Sequence, residues 1–161
     1  MNPQSACQPR VRRNGFSLVE LMVVLFVMGL LASVVVLSMP GDARELRGEA
    51  ERFAARANAA RNEAIVSAAP VSLVVSKAGY YFEQRADGRW RPFEGGRLGL
   101  TGWADGTGAQ TGNATQSQGR SRIVFDSVGL ASSDADVRLT RKGRTMTVHI
   151  ARDGKVSLDA R

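Results

Sequence analysis

From Leu21 to Met39 the chain runs through nineteen residues without a charge, most of them Val, Leu and Met. At 1.5 Å rise per residue, a helix of about 20 apolar residues crosses a hydrocarbon core of about 30 Å. Three arginines, Arg10, Arg12 and Arg13, precede the run, and the first fifteen positions hold no acid. That asymmetry keeps the N-terminus on the cytoplasmic side and sends the remainder across. A secretory signal shares the basic end, but its apolar core spans only about 7–15 residues and closes on a small-x-small site. Ala32-Ser33-Val34 lies inside the run rather than after it. The pattern therefore predicts a single transmembrane helix.

One residue does not fit a plain anchor. Glu20 stands at the head of the apolar run, and a carboxylate in lipid is costly enough to be a functional hypothesis by default. The chain offers no Lys or Arg beside it on the lipid side. A cut between Gly15 and Phe16 would create a partner, because the new α-amino group of Phe16 would lie about one helical turn from Glu20. That amine, on the same or a neighbouring subunit, would neutralise the carboxylate.

The stretch Gly15-Phe16-Ser17-Leu18-Val19-Glu20, with basic residues before it and a long apolar run after it, resembles the class III signal of type IV pilins and type II secretion pseudopilins. The resemblance implies cleavage after Gly15 by a prepilin peptidase, N-methylation of Phe16, and control of assembly by Glu20. Pro40 lies a little later than the helix-kinking proline of major pilins, so major-pilin helix geometry is not carried over.

Pro40-Gly41-Asp42 reads as a break or kink, with Asp42 as N-cap of a second helical segment. Leu46, Ala50, Phe53, Ala57, Ala60 and Ala64 then recur at alternating spacings of three and four, one face of an amphipathic helix ending before Pro70. Beyond Pro70 the period changes to alternation. Strands are expected at 71–76, 80–85, 89–93, 122–126, 136–141, 145–151 and 156–158, separated by turn pairs such as Asp87-Gly88, Lys142-Gly143 and Asp153-Gly154. The Gly/Thr/Gln/Asn-rich stretch 104–120 has no apolar residue beyond alanine and is expected to be a long flexible loop. The fold class is α+β: a long N-terminal helix packed on a mostly antiparallel sheet or small β-sandwich head.

Within the pilin-like group the head resembles minor pseudopilin H (GspH) and the related minor pilins. The stretches that carry this are Gly79-Tyr80-Tyr81-Phe82, Gly88-Arg89-Trp90, Val124-Phe125-Asp126-Ser127-Val128-Gly129 and Asp153-Gly154-Lys155-Val156. The implied organisation is a cytoplasmic leader at 1–15, a transmembrane and filament-core helix at 16–39, its amphipathic continuation at 40–69, and a periplasmic head at 70–161. The implied role is a minor pseudopilin near the tip of a type II secretion pseudopilus in the bacterial inner membrane, with a minor type IV pilin as the alternative. Its partners would be other pseudopilins, the peptidase, the inner-membrane secretion platform and secreted cargo.

Catalytic chemistry is hard to find. No Ser/His/Asp or Cys/His arrangement is present, and Cys7 is the single cysteine. His149 alternates away from the Met146, Val148 and Ile150 face and reads as a solvated strand residue. Gly106-Thr107-Gly108 lacks the strand, Gly-Lys-Ser/Thr and helix of a nucleotide loop. No enzyme activity, cofactor or metal is expected, although Asp126, Asp134 and Asp136 together could hold calcium. From Pro70 onward 14 Lys and Arg face 9 Asp and Glu, a net charge near +5. Arg120 and Arg122 are the candidates for phosphate contacts with nucleic acid, against the simpler reading of solvated charge beside turns.

Overall fold

The computed structural model describes residues 17–37, 41–112, 115–117 and 119–160. Gly15, Phe16 and Pro40 lie outside them. The chain divides into two compact units between residues 39 and 40.

The first unit is one helix, α1 (Leu18–Leu37). Its sequence has no amphipathic stripe: apolar side chains point in every direction, and the described ones from Leu18 to Leu31 are all exposed in the isolated chain. A helix that is apolar all round requires lipid or other helices for cover.

The second unit begins with α2 (Gly41–Val66) and continues into β1 (Val71–Val75), β2 (Gly79–Ala86), β3 (Arg89–Pro92), β4 (Thr101–Gly102), β5 (Gly108–Gly112), β6 (Thr115–Ser117), β7 (Arg120–Phe125), β8 (Ala135–Arg141), β9 (Arg144–Ile150) and β10 (Val156–Ala160). Every strand pairing is antiparallel. One sheet runs in the order β3-β2-β1-β7-β6 with β4 also on β2, and the other runs β10-β9-β8-β5. The predicted stripe on α2 is the buried one, and none of its six residues exceeds 1 % exposure. Alanine at three of those positions in succession lets the sheets approach the helix closely. Phe53 supplies the bulk, edge-on to Tyr80 at 4.9 Å between ring centroids. Inner residues of both sheets (Leu73, Phe82, Ile123 and Phe125 from one, Val137, Leu139, Val148 and Ile150 from the other) join α2 in one core.

The alternation that predicted the strands is the alternation of burial: Ile123 and Phe125 point in while Arg122 and Val124 point out. Lys142-Gly143 joins β8 to β9 with φ of 45° and 76°, the doubly left-handed turn whose twist matches a hairpin.

Two expectations need correction. Residues 104–120 are not one long loop, because β5 completes the edge of the smaller sheet on β8, and β6 pairs with β7 in the larger. Strands of Gly, Thr, Gln and Ser leave little hydrophobic signal, since backbone ladders rather than side-chain burial hold them; Ala109 is the one buried residue in β5. Asp42 is not an N-cap in front of a helix starting at Ala43. It lies inside the first turn of α2, and its carboxylate is held by side chains from the β8–β9 turn.

Candidate assembly surfaces

Glu20 falls in the first turn of α1, where a negative charge is favoured by the partial positive end of the helix. It is exposed, like its described apolar neighbours. Gly15 and Phe16, the proposed cleavage and methylation positions, lie outside the described residues. Over the described residues no helix is long and apolar enough to cross a membrane. Side chains of α1 are described only to Leu31, while its helical backbone continues to Leu37; twenty residues of helix are about 30 Å long.

In the second unit the start of α2 is clamped by side chains almost a hundred residues away. Arg141 Nε donates to Asp42 Oδ1 at 3.2 Å, its Nη2 lies 2.5 Å from Glu45 Oε2, and its Nη1 donates to the Asp105 carbonyl at 2.7 Å. Lys142 Nζ donates to Asp42 Oδ2 at 3.0 Å. The Lys142 and Arg141 hydrogen bonds hold the Asp42 carboxyl below its ordinary 3.8. Two of the three cations in the basic stretch Arg141-Lys142-Gly143-Arg144 thus serve an internal contact.

Further along α2, Glu49 is buried at 6 % exposure. It accepts from the Ala104 backbone N–H at 2.6 Å and from Thr107 Oγ1 at 2.7 Å. The neighbouring Trp103 donates its Nε1–H to the Ser76 carbonyl at 2.9 Å and packs against Tyr80 and Phe53. Burial raises the Tyr80 hydroxyl pKa, and Arg56 bonds Thr101 beside it. Glu49 is not among the residues singled out from the sequence. Its position next to Ala50 on the buried stripe was the only available signal.

The two arginines singled out for phosphate contact differ. Arg120 is exposed at the start of β7. Arg122 is drawn into a network on the outer face of the larger sheet: its Nη1 lies 2.6 Å from Glu83 Oε2 and donates to Ser72 Oγ at 2.9 Å. Its guanidinium also lies 5.1 Å from the Trp90 ring centroid. To meet a phosphate it would have to leave a carboxylate already in contact.

The acids considered for calcium also have separate tasks. Asp126 accepts from the Val128 and Leu130 backbone N–H groups, Asp134 accepts from the Arg152 N–H, and Asp136 Oδ1 lies 2.6 Å from His149 Nδ1. Among the described residues no group of three His, Cys, Asp or Glu side chains converges as a metal site. His149 is half-exposed, as alternation predicts, but it has a cross-strand partner that alternation could not reveal.

Two of the head stretches that carry the resemblance meet at one corner. Gly129 and Gly154 have φ of 85° and 78°. A Cβ on Gly154 would stand 2.0 Å from the Gly129 carbonyl oxygen, and one on Gly129 would stand 2.7 Å from Ile65 Cδ1. Arg61 Nε donates to that carbonyl at 2.9 Å. Close backbone approach thus requires glycine at 154, while at 129 the positive φ favours it and the Ile65 side chain packs into the space a Cβ would take.

Comparison with known proteins agrees with this architecture. Residues 10–36 match the prokaryotic N-terminal methylation motif. A type II secretion system protein H of Aeromonas hydrophila is 37 % identical over 93 residues, covering 55 % of this chain and 51 % of the relative, so the chain spans about half the relative's length. Among solved structures, the minor pseudopilin EpsH from the type 2 secretion system of Vibrio cholerae superposes with a TM-score of 0.60 at 19 % identity, over 72 % of this chain and 97 % of EpsH. The type IV minor pilin FimU of Pseudomonas aeruginosa gives 0.55 at 18 %, over 73 % and 90 %. Residues 49–154, about two-thirds of the sequence, match the family of type II transport protein GspH. With that match and the pilin-like fold, the chain belongs to the GspH family.

Proposed function

We propose that this chain is a minor pseudopilin of a type II protein secretion system. The observation that carries the reading is the joining, on one chain, of an N-terminal methylation motif at 10–36 to a GspH head at 49–154. Residues 1–15 are a leader removed on the cytoplasmic side, and Phe16 becomes the methylated N-terminus. Residues 16–39 anchor the chain in the inner membrane and then enter the filament core. Residues 40–69 continue the helix and hold the head, 70–161, in the periplasm. Lateral packing of the uniformly apolar α1 drives assembly in this scheme. The pairing of Glu20 with a Phe16 amine sets the register, because an unpaired carboxylate among apolar helices is costly. The role is one of contact with other pseudopilins, the secretion platform and exported protein, without a chemical step beyond its own processing.

Mass spectrometry of the membrane-extracted protein tests the processing: a mature chain beginning at N-methylated Phe16 is expected. An N-terminus left intact, or cut after residue 30 or beyond, defeats the reading. Replacing Glu20 by Val should leave insertion and processing intact while reducing incorporation into the filament; normal incorporation would remove the pairing argument.

The likeness to FimU favours one second reading, a minor type IV pilin serving adhesion, motility or DNA uptake. Deletion of the gene separates the two. Loss of exported enzymes with intact surface pili supports the secretion system, and the reverse supports the pilus.

A further inference from the structure

The two sheets part at one place in the head. Strand β7 puts Ser121, Ile123 and Phe125 on its inward side, and β5 puts Ala109 and Thr111 on its own, opposite Leu139 and Val137. Ile123 and Phe125 fill the core. Ser121, Ala109 and Thr111 are too small to close the remaining distance, and a cleft of about 290 Å³ opens between them. Val75, paired with Ser121 across the larger sheet, is 2 % exposed and lies at its floor, while the exposed Lys77 stands at its rim. Ser121 is itself only 5 % exposed, yet its hydroxyl has no hydrogen-bond partner among the described residues. A sealed hydroxyl without a partner would be costly. Among the described residues no side-chain polar atom is sealed in that way, so the Ser121 hydroxyl opens on the cleft.

Each group around the cleft calls for a different part of a ligand. The Lys77 ammonium has no ion-pair partner among the described residues, and no Asp or Glu lines the cleft, so a negative charge is favoured at the rim. Val75 and Ala109 offer apolar walls, which suit a short hydrocarbon body. Ser121 can donate or accept one hydrogen bond inside. The volume is close to the lower limit of small-ligand pockets, about 300 Å³, and admits a group no larger than one small residue. Strand β5 is the edge of its sheet, so on the side away from β8 its backbone N–H and C=O groups have no strand to pair with among the described residues.

We infer that this cleft binds a carboxylate carried on a short apolar body, with the carboxylate at Lys77 and the body between Val75 and Ala109. The C-terminal residue of an extended polypeptide has that chemistry, and so does a free short-chain acid; the polypeptide would add backbone hydrogen bonds to β5. The site lies wholly within the head and does not depend on the assembly role. The test follows backbone amide shifts of the full chain in detergent micelles by NMR. Three probes are titrated: N-acetyl-Ala-Ala-Val with a free C-terminus, the same peptide as its C-terminal amide, and butyrate. Saturable shifts at Val75, Ala109 and Ser121 are expected with the free-acid peptide, at a Kd of about 1 mM or below. The amide, and the free-acid peptide on the variant Lys77→Gln, should each bind about fivefold more weakly. Ser121→Ala should weaken binding about threefold. Lys77 is exposed, so an unchanged thermal midpoint of Lys77→Gln confirms that this variant folds. Butyrate binding as tightly as the peptide assigns the site to free acids, and weaker binding of butyrate assigns it to polypeptide termini. No saturable shift up to about 20 mM, equal binding of the amide, or unchanged binding by Lys77→Gln would overturn the site.

Discussion

Replacing Glu49 by Ala removes a buried acceptor and leaves two donors behind. In the wild type, Glu49 joins α2 to the segment before β5 through the Ala104 N–H and the Thr107 hydroxyl, at 2.6 and 2.7 Å. Hydrogen bonds to charged groups contribute about 1.5–3 kcal/mol each, and a buried donor left without a partner costs about 1–3 kcal/mol. The two bonds share one carboxylate and are not independent. Water can also reach Thr107, which is half-buried, and Ala104, which is exposed, so the orphan-donor cost applies only in part. A total of about 2–4 kcal/mol is therefore expected, which for a head of this size lowers the thermal midpoint by about 8–15 °C. Glu49→Gln keeps an acceptor for one donor and should lose roughly half as much. Thermal unfolding followed by circular dichroism gives the magnitude, and amide exchange at Ala104 gives the location. The reasoning fails if Glu49→Ala lies within about 0.5 kcal/mol of wild type, or if the Ala104 amide stays as protected as before.

Backbone geometry and charge each give a further prediction. Gly154→Ala should destabilise by about 3 kcal/mol or more, because a positive φ is joined to a collision with the Gly129 carbonyl. Gly143→Ala, with φ of 76° but open space around its Cβ, should cost only about 1–2 kcal/mol; equal losses in denaturant titrations would contradict the steric account. The Asp42 clamp should be acid-sensitive with a definite sign. Its folded pKa lies below the ordinary 3.8, so its contribution is complete above 3.8 and disappears as pH falls through the lowered value. The thermal midpoints of wild type and Asp42→Asn should therefore differ at pH 6 and converge in strong acid. A gap that stays constant down to pH 2 would show that the ion pairs to Arg141 and Lys142 are not its source.

Much of the fold was legible because it obeys a single period at a time. The stripe from Leu46 to Ala64 follows 3.6 residues per turn, and those six residues are the apolar residues α2 buries. The alternation of Met146, Val148 and Ile150 with Thr145, Thr147 and His149 is the inside and outside of β9. Where side chains do not alternate, as in Gly108–Gly112 and Thr115–Ser117, the strands are held by backbone pairing to β8 and β7. That pairing depends on the strand opposite, and no local pattern records it.

The same division holds for function. Gly15 to Glu20 and the apolar run behind them carry the proposed processing and anchoring in linear order, because a peptidase and a membrane would read a chain locally. The expectation of an assembling, anchored subunit therefore came from a few adjacent residues. The Asp42–Arg141–Lys142 clamp, the burial of Glu49, the pairing of Arg122 with Glu83 and the meeting of Gly129 with Gly154 join residues separated by 25 to 100 positions. Charge on a sequence says nothing about whether a partner waits across the fold. Folding brought those partners together, removing Arg122 from the free cations and seating Ile65 against Gly129.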